Sequence, residues 1–135
     1  SFLNFSFRLL EKIFFNPSPN SFNVVLDFKY LKNLDVYLFE SNHDIELLTH
    51  GPYPDWLKKR VLSSEGHLCN KDASIYLSKL IGNKTKKIIL IHLSETNNLE
   101  SIALETINNT FLENDIKFNN ISCARQNERT EVVEI

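Results

Sequence analysis

The sequence predicts an α/β fold in which helices cover a mixed sheet, and three observations predict it. Short runs of strand-forming residues alternate with longer segments whose apolar residues recur at helical spacing. One run, residues 87–92, holds four aliphatic residues in succession, as a strand covered on both faces requires. The chain has 135 residues, 42% of them hydrophobic, with a net charge of −2, which suits one globular domain. That balance argues against a disordered chain or a strongly basic nucleic-acid-binding tail.

The elements are predicted in order from residue 24, whereas residues 1–23 are aromatic-rich and stay unassigned. Runs of strand formers predict strands over residues 24–28, 36–40, 87–92, 121–124 and 131–135. Apolar residues at helical spacing predict helices over residues 55–62, 70–81 and 99–114. Gly82 stands where a helix C′ glycine belongs, and Asn98 is the predicted N-cap of the last helix. No apolar run approaches the roughly 20 residues that span a bilayer.

Polar side chains follow two of these strands directly, where sites are built in α/β sheets. The string ESNHD, from Glu40 to Asp44, comes after the strand at residues 36–40. His92, the last residue of the predicted strand at residues 87–92, and Ser94 follow the apolar run KIILI. His67 lies between them in GHLCN, at the mouth of a predicted helix whose N-terminal amides favour an anion. The three motifs are therefore the candidate site.

Taken together in order, ESNHD, GPYP, GHL-x-N and HLS-x-x-NN resemble the distal half of the metallo-β-lactamase-fold hydrolases. The similarity is closest to the bacterial WalJ/YycJ-type branch, and ribonuclease Z is a more distant relative. It covers about residues 35 to 111. The resemblance implies a four-layer αββα sandwich, of which residues 24–135 would form the C-terminal part. It also implies an active site at one edge that holds two metal ions, zinc or manganese.

The resemblance also implies roles for individual residues. His92 matches the last metal-ligand histidine of the family, and His67 matches a position that contacts phosphate or donates a proton to the leaving group. The substrate-binding positions are Asn42, His43 and Ser94. Glu40 belongs to the same loop without an assigned role. Asp27 is a candidate for the bridging aspartate, although its spacing to the matching segment is much shorter than the family's.

One departure from the family matters for function. The main metal motif, His-x-His-x-Asp-His, does not occur in residues 1–135. A hydrolytic zinc site needs about three protein ligands and an open position for water. We therefore expect the chain alone to bind no stoichiometric metal and to be inactive. It would be the C-terminal portion of a cytoplasmic nuclease acting on DNA or RNA, or of another phosphodiesterase. A missing N-terminal half or a second copy would be its partner, with no membrane association.

A non-catalytic α/β module that has lost the metal site is the alternative function. Smaller alternatives also remain open at this stage. The basic residues 58–60, together with Lys71, form either a rim for nucleic-acid phosphates or a solvated helix face. Tyr53 and Trp56 either stack on a base or lock the GPYP turn. Cys69 and His67 form a nucleophile pair only if a third residue orients them.

Overall fold

The computed structural model of the chain describes residues 29–63, 66–125 and 128. Within these residues the elements follow one another in this order: β1 (Val36–Glu40), α1 (Ile45–His50), α2 (Asp55–Leu62), α3 (Asn70–Leu80), β2 (Lys87–Ile91), α4 (Glu100–Glu113) and β3 (Ile121–Cys123). The predicted α/β class is confirmed. The two predicted strands at residues 24–28 and 131–135, and with them Asp27, lie outside the described residues.

The strands of this part of the chain form one sheet in the order β1-β2-β3, and both pairings are parallel. Val36 lies opposite Lys87 and Glu40 opposite Ile91, so β1 and β2 end at the same edge. The prediction of a mixed sheet is wrong for the described residues. Each connection between neighbouring strands contains helices, and a helical crossover returns the chain in the same direction.

The core lies between this sheet and the helices α3 and α4. Alternate residues of β1 are buried, so Tyr37 and Phe39 face the helices. The central strand β2 is buried at its first four positions, as the run of aliphatic residues predicts for a strand covered on both faces. The core cluster contains these buried side chains: Tyr37, Phe39, Leu68, Ala73, Leu77, Leu80, Ile88, Leu90, Ala103, Ile107 and Phe111.

The boundaries of the six predicted elements that lie within the described residues are correct to within one residue, and two predicted end residues act differently. Asn98 is not the N-cap of α4, since Leu99 occupies that position. Gly82 follows α3 without a left-handed backbone. Glycine is needed at this position because the Asn33 side chain packs against its Cα, and a Cβ there would lie 2.4 Å from Oδ1 of Asn33. Among the helices of the described residues, none combines the length and apolarity needed to cross a membrane.

Candidate active site

Three loops meet at the edge where β1 and β2 end: residues 41–44, residues 66–69 and residues 92–99. Parallel neighbours end side by side, which places the first and third loops together. Backbone hydrogen bonds join all three through Asn42. Its amide donates to the Leu68 carbonyl at 2.8 Å, and its carbonyl accepts from the Ser94 amide at 2.7 Å. The loop after β1 therefore lies between the other two.

Glu40, His67 and His92, one from each motif, form a single cluster at this edge. Oε1 of Glu40 lies 2.8 Å from Nδ1 of His67 and 2.7 Å from Nδ1 of His92. The ring centroids are 4.9 Å apart, with the rings edge to face at 63°. The Glu40 side chain is 9% exposed, whereas both imidazoles are about half-buried at the surface. One buried carboxylate thus orients two accessible rings.

The environment of Glu40 keeps it ionised. Burial alone would raise the pKa of its carboxyl group. The hydrogen bonds from His67, from His92 and from the Leu68 amide at 3.2 Å outweigh burial and hold this pKa below its ordinary value. At neutral pH Glu40 is therefore a charged acceptor, and its charge-assisted hydrogen bonds are stronger than neutral ones.

These three residues could contribute to a metal site. Their ligand atoms all lie within 4.8 Å of one another. Imidazole nitrogen and carboxylate oxygen are the donors that zinc takes in proteins. With Nδ1 on the carboxylate, Nε2 is the nitrogen through which a ring in this orientation binds a metal. The three side chains could supply some of the ligands of a metal centre, but they are too few to hold a pair of ions.

His92 has a backbone conformation that residues other than glycine rarely adopt. Its φ is +58°, in the left-handed region, directly after the last residue of β2. The Asn42 side-chain amide donates to the His92 carbonyl at 2.8 Å and holds the turn. Such strain in a non-glycine residue is found where surrounding contacts enforce it, often at functional sites. Here it accompanies an imidazole directed at Glu40.

We expect the strain to appear as a difference between two variants that both lack the imidazole. His92→Gly should be more stable than His92→Ala by about 0.5–1 kcal/mol, because glycine tolerates positive φ. Urea unfolding of the two variants measures the difference. The same pair at Glu105, an exposed position within α4, should show the opposite sign, since alanine is favoured inside a helix. If His92→Ala were more stable than His92→Gly, the backbone of residue 92 would not be strained.

Behind this cluster, on the side of the helices, three buried polar residues connect the same loops. Asn98 Nδ2 donates to the Ser41 carbonyl at 2.9 Å, and Asn70 Nδ2 donates to Asn98 Oδ1 at 2.8 Å. Ser41 Oγ donates to Asn70 Oδ1 at 2.6 Å. We call Ser41, Asn70 and Asn98 the amide brace. The sequence analysis did not identify it, although the alternation along β1 directs Ser41 to the side opposite Glu40.

An open cleft of about 390 Å³ adjoins the imidazoles. Its lining includes Asn42, Ser94, His67 and His92, together with Tyr53 and Leu57. Two of the predicted substrate-binding residues, Asn42 and Ser94, therefore face the space beside the histidines.

His43, the third predicted substrate-binding residue, is placed differently. It is 1% exposed, its Nδ1 lies 3.3 Å from Asn42 Oδ1, and burial lowers its pKa. It contacts Asn42 and is not among the residues that line the cleft.

Cys69 is a helix cap. Its Sγ accepts from the Asp72 amide at 3.4 Å at the start of α3. Burial raises the pKa of its thiol, so the nucleophilic thiolate is disfavoured. Within the described residues it makes no hydrogen bond to His67. The geometry gives no support to a Cys69–His67 nucleophile pair.

Comparison with known proteins agrees with the resemblance. The exodeoxyribonucleases WalJ of two Streptococcus pneumoniae strains are each 44% identical to the chain over 86 residues, which are 64% of this chain and 32% of theirs. The exodeoxyribonuclease YycJ of Bacillus anthracis is 41% identical over 83 residues, 62% of this chain and 31% of its own. The predicted similarity to the WalJ/YycJ-type branch is confirmed.

The chain spans about a third of the length of the curated relatives it matches. No protein-family model matches it, and no solved structure does.

Proposed function

We propose that the chain is the distal portion of a metal-dependent phosphodiesterase that degrades DNA. On this proposal residues 24–135 form the C-terminal part of a metallo-β-lactamase-type αββα sandwich. The observation that carries it is the buried Glu40 carboxylate, which holds two imidazoles beside an open cleft. The names of the similar proteins support DNA as the substrate. The two described cysteines are free, which agrees with the cytoplasm.

The residues of the site divide the work as follows. His92 is the metal ligand, and Glu40 orients it. Two divalent ions, zinc or manganese, would supply Lewis-acid stabilisation of the phosphate and an activated water. His67, oriented by the same carboxylate, steadies the phosphate or gives a proton to the departing oxygen. Asn42 and Ser94 offer hydrogen bonds to the substrate from the wall of the cleft.

Further metal ligands are needed beyond His92. Asp27 is one candidate, and the others would come from a missing N-terminal half or from a second copy of the chain. The 135-residue chain alone should therefore contain no stoichiometric metal and should not cleave DNA.

The test separates the two histidines in the protein produced from its complete coding sequence. His92→Ala should lose bound metal, measured by elemental analysis, and nuclease activity with it. His67→Ala should keep its metal and lose about 10²–10⁴-fold in cleavage rate, the usual contribution of a positioned acid or base. His50→Ala, at an exposed residue of α1, is the matched control and should change neither. Unchanged metal in the His92 variant would overturn the assignment.

The second candidate function is a non-catalytic α/β module. The sequence favours it in one respect, since His-x-His-x-Asp-His is missing from residues 1–135. The two candidates differ in a single measurement on the protein from its complete coding sequence. The module should contain no stoichiometric zinc or manganese and should leave DNA intact, whereas the nuclease should bind metal and cleave.

A further inference from the structure

Helix α2 contributes Leu57 and Val61 to the lining of the cleft that His67 and His92 also line, and its exposed surface carries an aromatic group. Trp56, the sole tryptophan of the chain, is 65% exposed. A large aromatic side chain at that exposure does not lock the GPYP turn. Tryptophan and arginine are the residue types enriched where binding energy is concentrated, and Trp56 stands next to residues that line the cleft. The exposed indole of Trp56 is therefore suited to bind a ligand with a flat apolar face.

Positive charge accompanies the tryptophan. Lys59 and Arg60 follow Trp56 by three and four residues, which places all three on one face of α2. Both cations are exposed and form no ion pair within the described residues. Lys58, by contrast, donates to the Thr49 carbonyl at 2.8 Å. In a chain of net charge −2, this face is a local positive patch suited to phosphates.

The face is continuous with the candidate site. Leu57 and Val61, next to Trp56 and Arg60 in the helix, line the cleft together with Tyr53. The same cleft is lined by His67 and His92. Glu95 also lines the cleft, and Asp55 is the acidic residue in the first turn of α2. A strand lying along α2 would thus lead directly to the imidazoles.

We propose that Trp56, Lys59 and Arg60 form a binding wall for single-stranded DNA, in which a base stacks on Trp56 and neighbouring phosphates contact the two cations. Stacking needs an unpaired base, because a paired base offers its faces only to its neighbours in the duplex. The wall therefore binds an unpaired strand in preference to a duplex. This inference deepens the proposed function and rests on it for the choice of DNA.

The sole tryptophan provides the assay. The 135-residue chain is titrated with an oligothymidylate of about 12 nucleotides, within the range of strand-binding sites. Chelator is present, so neither metal nor cleavage enters the measurement. We expect saturable quenching of Trp56 fluorescence, and weaker binding of a duplex of the same length. Anisotropy of a labelled oligonucleotide then compares variants, including those that lack tryptophan.

Trp56→Ala should weaken binding five- to a hundredfold, roughly the contribution of one stacked base, whereas Trp56→Phe should retain most of it. The matched control is Tyr30→Ala, at another exposed aromatic residue that precedes β1. Replacing Lys59 and Arg60 by glutamine should lower the slope of log Kd against log salt by about 1.4, as expected for two phosphate contacts on a single strand. The same change at Lys84 and Lys86, which precede β2 at the other end of the sheet, should leave the slope unchanged.

Absence of quenching, or equal binding by the Trp56 and Tyr30 variants, would overturn the strand-binding wall. Equal affinity for duplex and single strand would do the same. These results would leave the proposed hydrolysis untouched, because no metal is present. Conversely, loss of the metal assignment of His92 would not alter the binding measured here.

Discussion

Glu40→Gln is expected to slow DNA cleavage by at least about a hundredfold, and to weaken metal binding about 10- to 100-fold, in the protein produced from its complete coding sequence. Glutamine matches glutamate in shape, and its oxygen can still accept from both rings. It removes the negative charge, and with it the charge-assisted bonds from Nδ1 of His67 and of His92. One substitution should thus affect both the protonating and the metal-binding histidine.

Steady-state cleavage rates and metal titration of the same preparation measure the two effects. Glu46→Gln provides the control, because Glu46 is exposed in α1 and the chemical change is identical. A Glu40→Gln protein with the cleavage rate and metal affinity of the unmodified chain would show that the carboxylate does not serve the histidines.

The sequence was sufficient to bring the ESNHD loop and His92 near each other. Two parallel strands that end in polar residues place those residues at one edge, whatever the details of the loops. The role of Glu40 could not be predicted without knowing which residues of β1 are buried. Tyr37 and Phe39 face the helices, so Glu40 lies on the opposite side of the sheet, and Ser41 returns to the helical side. Alternation alone could have distinguished the two, once the buried positions of β1 were known.

Other features depend on tertiary contacts that no local pattern encodes. The left-handed backbone of His92 is accompanied by a hydrogen bond to its carbonyl from Asn42, 50 residues away in sequence. Asn98 resembles an N-cap in sequence, but its side chain serves a network of residues 28 and 57 positions distant. Local propensity is a weak predictor in such cases because long-range hydrogen bonds outweigh it. The assignment of Asp27 as a metal ligand stays a prediction, because this residue lies outside the described residues.

The amide brace leads to the largest expected effect on stability. Asn98 is 4% exposed, and its side chain donates to the Ser41 carbonyl and exchanges hydrogen bonds with Asn70. Its Oδ1 also accepts from the Leu99 amide at 2.9 Å. Asn98→Leu would remove the hydrogen bonds to these buried partners. Each group left unsatisfied costs about 1–3 kcal/mol of stability. We expect a loss of at least about 3 kcal/mol in the free energy of unfolding.

That loss is a large share of the roughly 5–15 kcal/mol that stabilises an ordinary domain, so the midpoint of urea unfolding should fall clearly. Asn108→Leu is the matched control, because Asn108 is exposed on α4 and the substitution should change stability by less than about 0.5 kcal/mol. Similar midpoints for the two variants would mean that the brace contributes nothing net. The brace joins the loops that carry Glu40, His67 and His92, so its loss should also loosen their geometry. Asn98→Leu protein that remains folded should therefore cleave DNA more slowly, whereas the Asn108 variant should not.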